Sequence, residues 1–207
     1  MLGVMATTAG DPTRGGRSIR LATAADAAAI QAIYAPVVTD TAISFELEPP
    51  SVAEMARRIE KTFGAGLPWL VVEAGGAVMG YAYAAQHRGD RPAYRWSVEV
   101  SIYMHPEVRG QGLGKKLYVA LFSVLAYQHI QNAYAGATLP NQASVAIHEG
   151  LGFRRVGVYQ EVGYKFGRWH DTVWWVKRLG AHAVPAPEII PLAEAVTMPD
   201  FPLPVTL

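Results

Sequence analysis

The sequence predicts an α/β fold with a mixed, mostly antiparallel central sheet flanked by helices. Three observations lead to this prediction. Capping residues precede runs with helical periodicity, two β-rich runs surround a pair of glycines, and the middle of the chain follows the order strand, glycine-rich turn, helix, strand. With 207 residues, 51% of them hydrophobic, the chain is long enough for one domain with a sizeable core.

The first third of the chain predicts a strand followed by two helices. The strand is Ser18–Leu21. Thr23 followed by Asp26, and Ser51 followed by Glu54, are capping patterns, because a hydroxyl at the N-cap and a carboxylate three residues later satisfy free backbone N–H groups. Each pattern precedes apolar residues at helical spacing, so two amphipathic helices are expected.

A β-hairpin and a further strand come next. The runs 69–73 and 78–85 are rich in β-formers and flank Gly75-Gly76, the pattern of two antiparallel strands joined by a tight turn. Residues 96–104 alternate with period two, which places Val98 and Val100 on one face and Glu99 and Ser101 on the other.

After the glycine-rich turn, the chain predicts a helix, a strand over 133–138 and a short helix capped by Asn141 and closed by Gly152. Two final strands are expected over 153–159 and 172–176. The main domain is therefore assigned to residues 18–179. Residues 1–17 are predicted to be a flexible leader without the apolar core of a signal peptide, and residues 180–207 a proline-rich tail able to pack along a surface.

Composition excludes several classes of function. Lysine plus arginine number 18 against 17 acidic residues, so the basic surplus typical of nucleic-acid binding is missing. The chain has no cysteine, which rules out acyl transfer through a thiol nucleophile. No stretch approaches the roughly 20 apolar residues that span a bilayer, and we expect a cytoplasmic protein that binds no membrane.

The turn Arg109-Gly110-Gln111-Gly112-Leu113-Gly114 is predicted to bind an anion, because it opens a helix whose first N–H groups have no partner within the helix. It is not a Walker A loop, which would require glycine in place of Arg109 and a hydroxyl residue in place of Lys116. Nor is it a dinucleotide fingerprint, because Lys115 stands where glycine or alanine is needed. A turn used only for tight packing is the alternative.

The sequence resembles the GNAT superfamily of N-acetyltransferases, and within it the phosphinothricin and methionine sulfoximine acetyltransferase group. The resemblance covers roughly residues 18–178. It rests on Arg109-x-x-Gly112-x-Gly114, Ser44-Phe45-Glu46, Arg91-Pro92-Ala93-Tyr94-Arg95, Val98-Glu99, Asn141-x-x-Ser144-x-x-x-His148-Glu149-x-Leu151-Gly152-Phe153, and Gly163-Tyr164-Lys165-Phe166-Gly167-Arg168-Trp169-His170-Asp171.

The resemblance implies acetyl-CoA as co-substrate, a small amino-acid-like amine as acceptor, a homodimer and a sheet splayed between its two central strands. It also implies residues that hold acetyl-CoA through the backbone of the strand, the glycine turn and the helix that follows Asn141. These are Ser101, Ile102, Tyr103, Arg109, Gly110, Gln111, Gly112, Leu113, Gly114, Asn141 and Ser144. A backbone N–H near Tyr103 is the expected oxyanion donor.

Glu99 and His148 are the catalytic candidates. The resemblance implies that Glu99 is the general base for the amine and that His148 is an acid for the departing thiolate. The alternatives from the residues alone are a glutamate on a solvated strand face and a packing histidine.

The predicted substrate residues are Phe45, Arg88, Arg91 and Tyr94. An arginine-rich loop suits a carboxylate or phosphinate, because guanidinium groups bind such anions through paired hydrogen bonds. No metal site is expected, since the adjacent His170 and Asp171 point to opposite faces of a strand. The alternative functions are acetylation of a protein N-terminus or a polyamine, and a non-catalytic acyl-CoA-binding module.

Overall fold

The computed structural model of the protein describes residues 16–207. Of the predicted leader, residues 1–15 lie outside the described residues, and Arg17 already belongs to the first strand. The strands are β1 (Arg17–Leu21), β2 (Trp69–Ala74), β3 (Ala77–Gln86), β4 (Ser97–Met104), β5 (Asn132–Thr138), β6 (Arg154–Lys165), β7 (Arg168–Arg178) and β8 (Val205–Thr206). The α-helices are α1 (Ala27–Asp40), α2 (Val52–Gly64), α3 (Leu113–Tyr127), α4 (Gln142–Gly150) and α5 (Leu192–Ala195).

These strands form one sheet in the order β6-β7-β5-β4-β3-β2-β1-β8. Neighbouring strands are antiparallel except for β4 and β5, which run parallel because α3 connects them as a crossover. The predicted α/β class, with a mixed and mostly antiparallel sheet between helices, is confirmed.

The sheet splays at the β4–β5 pair. The two strands are paired only from Ser97 opposite Asn132 to Glu99 opposite Tyr134. Beyond Glu99, β4 continues to Met104 and remains paired with β3 alone. The splay predicted between the two central strands is therefore present, and it begins at Glu99.

Each face of the sheet carries its own core. On one face, α3 packs against β4 and β5 through residues that include Val98, Val100 and Leu117. On the other, α1 and α2 cover β2 and β3 through residues that include Ile30 and Ile59. The period-two alternation of β4 thus separates an apolar face toward α3 from a polar face that carries Glu99 and Ser101, as predicted.

The capping signals act as expected at two helices. Ser51 Oγ accepts from Glu54 N–H at 3.1 Å, and Asn141 Oδ1 accepts from Ser144 N–H at 3.0 Å. At the first helix, a short 3-10 turn over Ala24–Asp26 precedes α1, and the Asp26 carboxylate accepts from Thr23 N–H at 2.7 Å.

The last two strands are longer than their apolar runs predicted. β6 and β7 form a hairpin that turns at Phe166-Gly167 and extends past the core. The pairing shifts register twice, between Arg155 and Gly157 and between Tyr159 and Gly163, and the single extra residue at the first shift exchanges the inward and outward positions along β6. A simple alternation pattern cannot reveal a strand that contains such a shift.

Residues 180–207, here called the C-terminal strap, pack along the domain. β8 extends the sheet by pairing with β1, and Leu192 and Ala195 of α5 are buried. Trp96 Nε1 donates to Pro187 O at 2.8 Å, and Gln128 Nε2 donates to Ile190 O at 3.0 Å. The proline-rich composition therefore supports an ordered surface segment.

Candidate active site

The glycine-rich turn has the geometry of an anion site. Gly110 and Gly112 have φ angles of 75° and 77°, the left-handed region that glycine adopts without strain. The first bond of α3 runs from Lys116 N–H to Gly112 O at 3.2 Å, so the N–H groups before it point out of the helix end. A Cβ at either glycine would meet no atom within 4 Å, which leaves space above the turn.

Side-chain bonds fix the turn to its surroundings. Arg109 Nε donates to Met104 O at 3.2 Å, and Gln111 Nε2 donates to Glu107 O at 2.9 Å. Gly114 has a packing role instead, because a Cβ there would lie 3.3 Å from Ile147 Cδ1. The missing side chain lets α3 approach α4 closely.

The open edge of β4 leads to this turn. Beyond Glu99, the backbone of Ser101, Ile102 and Tyr103 has β3 on one side and no paired strand on the other. Such an edge can accept an extended, amide-bearing chain as an added strand. The predicted backbone positions therefore lie along the splay, between Glu99 and the glycine turn.

One chain of contacts runs along α4, from its N-cap Asn141 through Ser144 to His148. The Asn141 Oδ1 atom caps the helix through Ser144 N–H, and Ser144 Oγ lies 3.2 Å from His148 Nδ1. The Asn141 amide nitrogen has no hydrogen-bond partner within residues 16–207, so it remains able to donate.

His148 lies in the core. Its side chain stacks on Trp175 with ring centroids 4.9 Å apart, and the residue is 3% exposed. Nδ1 lies 2.7 Å from Ser144 O, and Nε2 lies 3.2 Å from the Tyr118 hydroxyl. Burial lowers the pKa of His148, while the bond to Ser144 acts in the opposite direction. A neutral ring with both nitrogens partnered results.

Glu99 lies at the mouth of the splay on the opposite side of the sheet from His148. Tyr134, its partner on β5, points to the Glu99 face, whereas the next residue, Ala135, packs in the α3 core. The Glu99 side chain is 40% exposed, and Oε1 lies 2.9 Å from Nδ1 of His87. The two predicted catalytic side chains do not contact each other.

His87 and Tyr134 complete this cluster, and the sequence pattern did not single them out. The His87 ring stacks on Tyr134 with centroids 4.6 Å apart and meets the edge of Tyr94 at 5.6 Å. A single histidine just after a strand belongs to no recognisable sequence motif. Only the β3–β4 register, which pairs Gln86 with Val98, indicates that residue 87 is a diagonal neighbour of Glu99.

The predicted substrate loop reaches the cluster through Tyr94. The Arg91 side chain is 62% exposed, and its Nε atom lies 3.7 Å from Asp90 Oδ2. Such a loose surface pair leaves the guanidinium available to bind another group. Arg88 is also exposed and has a positive φ of 49°. Tyr94 is therefore joined to Glu99 through His87, whereas the two arginines extend into solvent around it.

Phe45 lies in the segment between α1 and α2 and packs against the final hairpin. A Cβ at Gly163 would overlap its ring, so the absence of a side chain at position 163 makes room for Phe45. Lys165 fixes the same loop, because its buried Nζ donates to Val38 O, Ser44 O and Glu46 O at 2.6–2.8 Å. The sequence block Gly163 to Lys165 thus positions the aromatic residue predicted to contact substrate.

A cavity of about 390 Å³ opens on the Glu99 face between α2 and the β2–β3 pair. Its walls include Trp69 and Tyr83, whose rings stack with centroids 4.2 Å apart. Arg58 lies at its edge. Its two terminal nitrogens donate to the two carboxylate oxygens of Glu46, at 2.8 and 3.1 Å. Space for an apolar group therefore exists beside the polar face of β4.

Within residues 16–207, no three His, Asp or Glu side chains are grouped so as to hold a metal ion. In the same part of the chain, none of the helices has the length and apolar character needed to cross a membrane.

Known proteins share this fold. The family model described as the acetyltransferase (GNAT) domain matches residues 19–174. The chain is 40% identical over 172 residues to phosphinothricin N-acetyltransferase of Alcaligenes faecalis, covering 83% of this chain and 87% of that protein. It is 36% identical over 168 residues to the L-methionine sulfoximine/L-methionine sulfone acetyltransferase of Salmonella typhimurium, covering 81% and 98%.

Among solved structures, the chain is similar to a GNAT superfamily phosphinothricin acetyltransferase from Sinorhizobium meliloti, crystallised in complex with acetyl-CoA. The TM-score is 0.78 at 37% sequence identity, covering 85% of this chain and 96% of that one. The chain belongs to the GNAT acetyltransferase family. It is an N-acetyltransferase, similar to the phosphinothricin and methionine sulfoximine acetyltransferases.

Proposed function

We propose that the protein transfers the acetyl group of acetyl-CoA to the amino group of a small amino-acid-like substrate of the phosphinothricin, methionine sulfoximine or methionine sulfone type. The observation that carries the proposal is the open edge of β4. One strand runs from Glu99 along the free backbone of residues 101–103 to the glycine turn, so the base and the anion site lie at opposite ends of a single edge.

Acetyl-CoA supplies an activated acetyl group as a thioester. The N–H groups at the start of α3 bind its pyrophosphate, and the β4 edge binds its amide-bearing arm. Glu99 accepts the proton of the substrate amine, whose lone pair then attacks the thioester carbonyl. A backbone N–H of β4 near Tyr103 stabilises the resulting oxyanion, and the C–S bond breaks as the carbonyl re-forms.

The departing thiolate takes its proton from water in this proposal, and the second proton lost by the acetylated nitrogen replaces it. Both nitrogens of His148 have partners, and burial lowers its pKa, so the imidazolium needed for acid catalysis is disfavoured. His148 then acts by holding α4 against Trp175, which orients Asn141 and Ser144. The alternative, in which His148 is the acid, predicts that replacing His148 reduces kcat.

The substrate is bound on the Glu99 face. Arg91, with Arg88 beside it, is suited to the carboxylate or phosphinate of an amino-acid analogue, and Tyr94 and Phe45 to its carbon chain. This charge pattern favours an anionic acceptor over a polyamine. Acetylation of a protein N-terminus remains the alternative within the same chemistry.

We also propose a homodimer. The β6–β7 hairpin exposes apolar side chains that a second copy would cover. Its exposed members are Val156, Tyr159, Val162, Tyr164, Phe166 and Trp169. Sedimentation equilibrium at micromolar concentration checks this, and Trp169→Glu should shift the protein toward the monomer.

The deciding experiment is an acetyl-CoA turnover assay over amino acids and their phosphinate, sulfoximine and sulfone analogues. Glu99→Gln should reduce kcat by about 10²-fold or more, since a general base typically contributes that much. Glu60→Gln, on the exposed face of α2, is the matched control. Acetylation of no panel member by the wild type would refute the substrate assignment, and unchanged turnover in Glu99→Gln would refute the base.

Binding of acetyl-CoA without turnover of any amine would instead favour a non-catalytic acyl-CoA module. Isothermal titration with acetyl-CoA separates that outcome from a misfolded protein.

A further inference from the structure

His87 lies outside the residues with which the proposed function was argued, yet it makes the one side-chain hydrogen bond to Glu99 among the described residues. Its Nδ1 atom lies 2.9 Å from Glu99 Oε1. The other carboxylate oxygen, Oε2, has no hydrogen-bond partner within residues 16–207. The contact therefore occupies one oxygen and leaves the second for another group.

The His87 ring is fixed from three directions. Tyr134 stacks on it with an interplanar angle of 14°, and Tyr94 packs edge-on at 83°. Its backbone N–H bonds to Ser97 O at 3.4 Å, which continues the β3–β4 pairing by one residue. A ring held on both sides by aromatic side chains has few accessible rotamers, so its Nδ1 atom has a defined position.

The fixed position of His87 matters because of where Glu99 lies in the sheet. Glu99 and Tyr134 are the last paired residues before β4 and β5 diverge. Glu99 has a flexible side chain, and on an otherwise open strand edge it would sample several rotamers. A carboxylate that must meet an amine at hydrogen-bond distance loses rate if it is misplaced by even about 1 Å.

We propose that His87 is a positioning residue for Glu99. With Nδ1 carrying its proton, the ring donates to Glu99 Oε1 and holds the carboxylate so that Oε2 faces the splay, where it accepts the proton of the substrate amine. No bond to His87 forms or breaks. This inference rests on the proposed role of Glu99 as base.

The test is a double-mutant cycle that uses the full-length enzyme and its best acceptor amine. His87→Phe keeps a ring to stack on Tyr134 and removes the donor, whereas His87→Asn keeps a donor near the position of Nδ1. We expect His87→Phe to reduce kcat by about tenfold or more, with the KM for acetyl-CoA unchanged, and His87→Asn to restore most of the loss.

The cycle is completed in the Glu99→Gln background. If His87 acts through Glu99, His87→Phe should change the residual rate there by less than about twofold, because the carboxylate it positions is absent. An equal loss in both backgrounds, or no loss in the wild-type background, would overturn the proposal. His182→Phe is the matched control, since His182 contacts Asn132 and Arg178 instead.

The outcomes separate this inference from the proposed function. Full activity of Glu99→Gln would refute the base assignment whatever His87 does. An inactive Glu99→Gln together with a fully active His87→Phe would refute the positioning role alone. If His87→Phe fails to fold in a thermal unfolding control, His87→Leu in the same cycle provides the donor-free variant.

Discussion

Lys165 shows how a single buried residue positions the site. Its ammonium group donates to Val38 O in the last turn of α1 and to Ser44 O and Glu46 O in the segment that connects α1 and α2, and that segment carries Phe45. Burial lowers the pKa of Lys165, yet the three acceptors compensate for much of the lost hydration. The residue thus joins β6 to the predicted substrate wall.

Lys165→Met should destabilise the protein by about 2–4 kcal/mol, because it leaves several buried carbonyls without a donor. Urea unfolding measures the loss. Lys61→Met, at an exposed position on α2, is the matched control and should change the free energy of unfolding by less than about 0.5 kcal/mol. Equal effects of the two substitutions would contradict the assigned role.

His148 predicts a pH dependence of stability. Burial lowers the pKa of His148 in the folded state below its ordinary value of 6.5. At a pH between these two pKa values, the unfolded chain therefore binds more protons than the folded one. The free energy of unfolding should therefore fall as the pH drops below about 6.5. Measuring the free energy of unfolding of wild type and His148→Gln across pH 5–8 isolates the contribution of this residue, because the variant lacks the titrating group. The same pH dependence in both proteins would refute the prediction.

Glu99 and His87 differ in how far the sequence predicts them. Glu99 was predictable, because alternation along one strand assigns it to the polar face and the resemblance supplies a role. His87 was not predictable, because its contact with Glu99 depends on how two strands pair and on a stack with Tyr134 from a third. No local pattern contains that information.

At the scale of elements, the start of α3 depends on a backbone conformation. Gly112 is the N-cap and has a φ of 77°, which costs a residue with a Cβ about 1–2 kcal/mol. Local strain would also displace the N–H groups that precede the helix.

Gly112→Ala should therefore raise the KM for acetyl-CoA severalfold while lowering stability by about 1 kcal/mol. Gly64→Ala, at the end of α2, is the matched control, since its Cβ also meets no atom within 4 Å and its φ is not positive. Steady-state kinetics of both variants with saturating amine measure the KM for acetyl-CoA. An unchanged KM in Gly112→Ala would argue against the turn as the CoA site.

The final hairpin shows why element lengths were only partly predictable. The apolar runs located both strands, but β6 extends from 154 to 165 through polar residues and a register shift. Its stability there comes from cross-strand pairing and from Lys165, not from a continuous apolar face. Such stabilisation is tertiary, and the sequence pattern cannot report it.

At the scale of the whole molecule, the C-terminal strap covers one edge of the sheet and packs against the loop predicted to bind substrate. β8 covers the edge of β1, and Pro187 and Ile190 accept hydrogen bonds from Trp96 and Gln128. Ile189 and Pro191 also line a cavity of about 160 Å³ together with Tyr94 and Arg91. The strap is thus part of the folded unit.

Leu192→Ala should lower the free energy of unfolding by about 2–4 kcal/mol, because Leu192 is 4% exposed and its truncation leaves a void beneath α5. Val184→Ala, in the same strap but 97% exposed, should have no measurable effect. Chemical denaturation of both variants checks this, and similar stabilities would mean that the strap contributes little to the fold.

Periodicity, capping and glycine content are local properties, and from them the sequence predicted the α/β class and most of the helices and strands; the anion site at the Arg109–Gly114 turn stays a prediction. The resemblance extended these to an acetyltransferase. Three further features became visible in the folded chain alone: β4 and β5 part at Glu99, Tyr118 and Trp175 enclose His148, and His87 faces Glu99. Each of these follows from strand pairing and packing between segments distant in the chain, whose free energy depends on contacts that no single stretch of sequence contains.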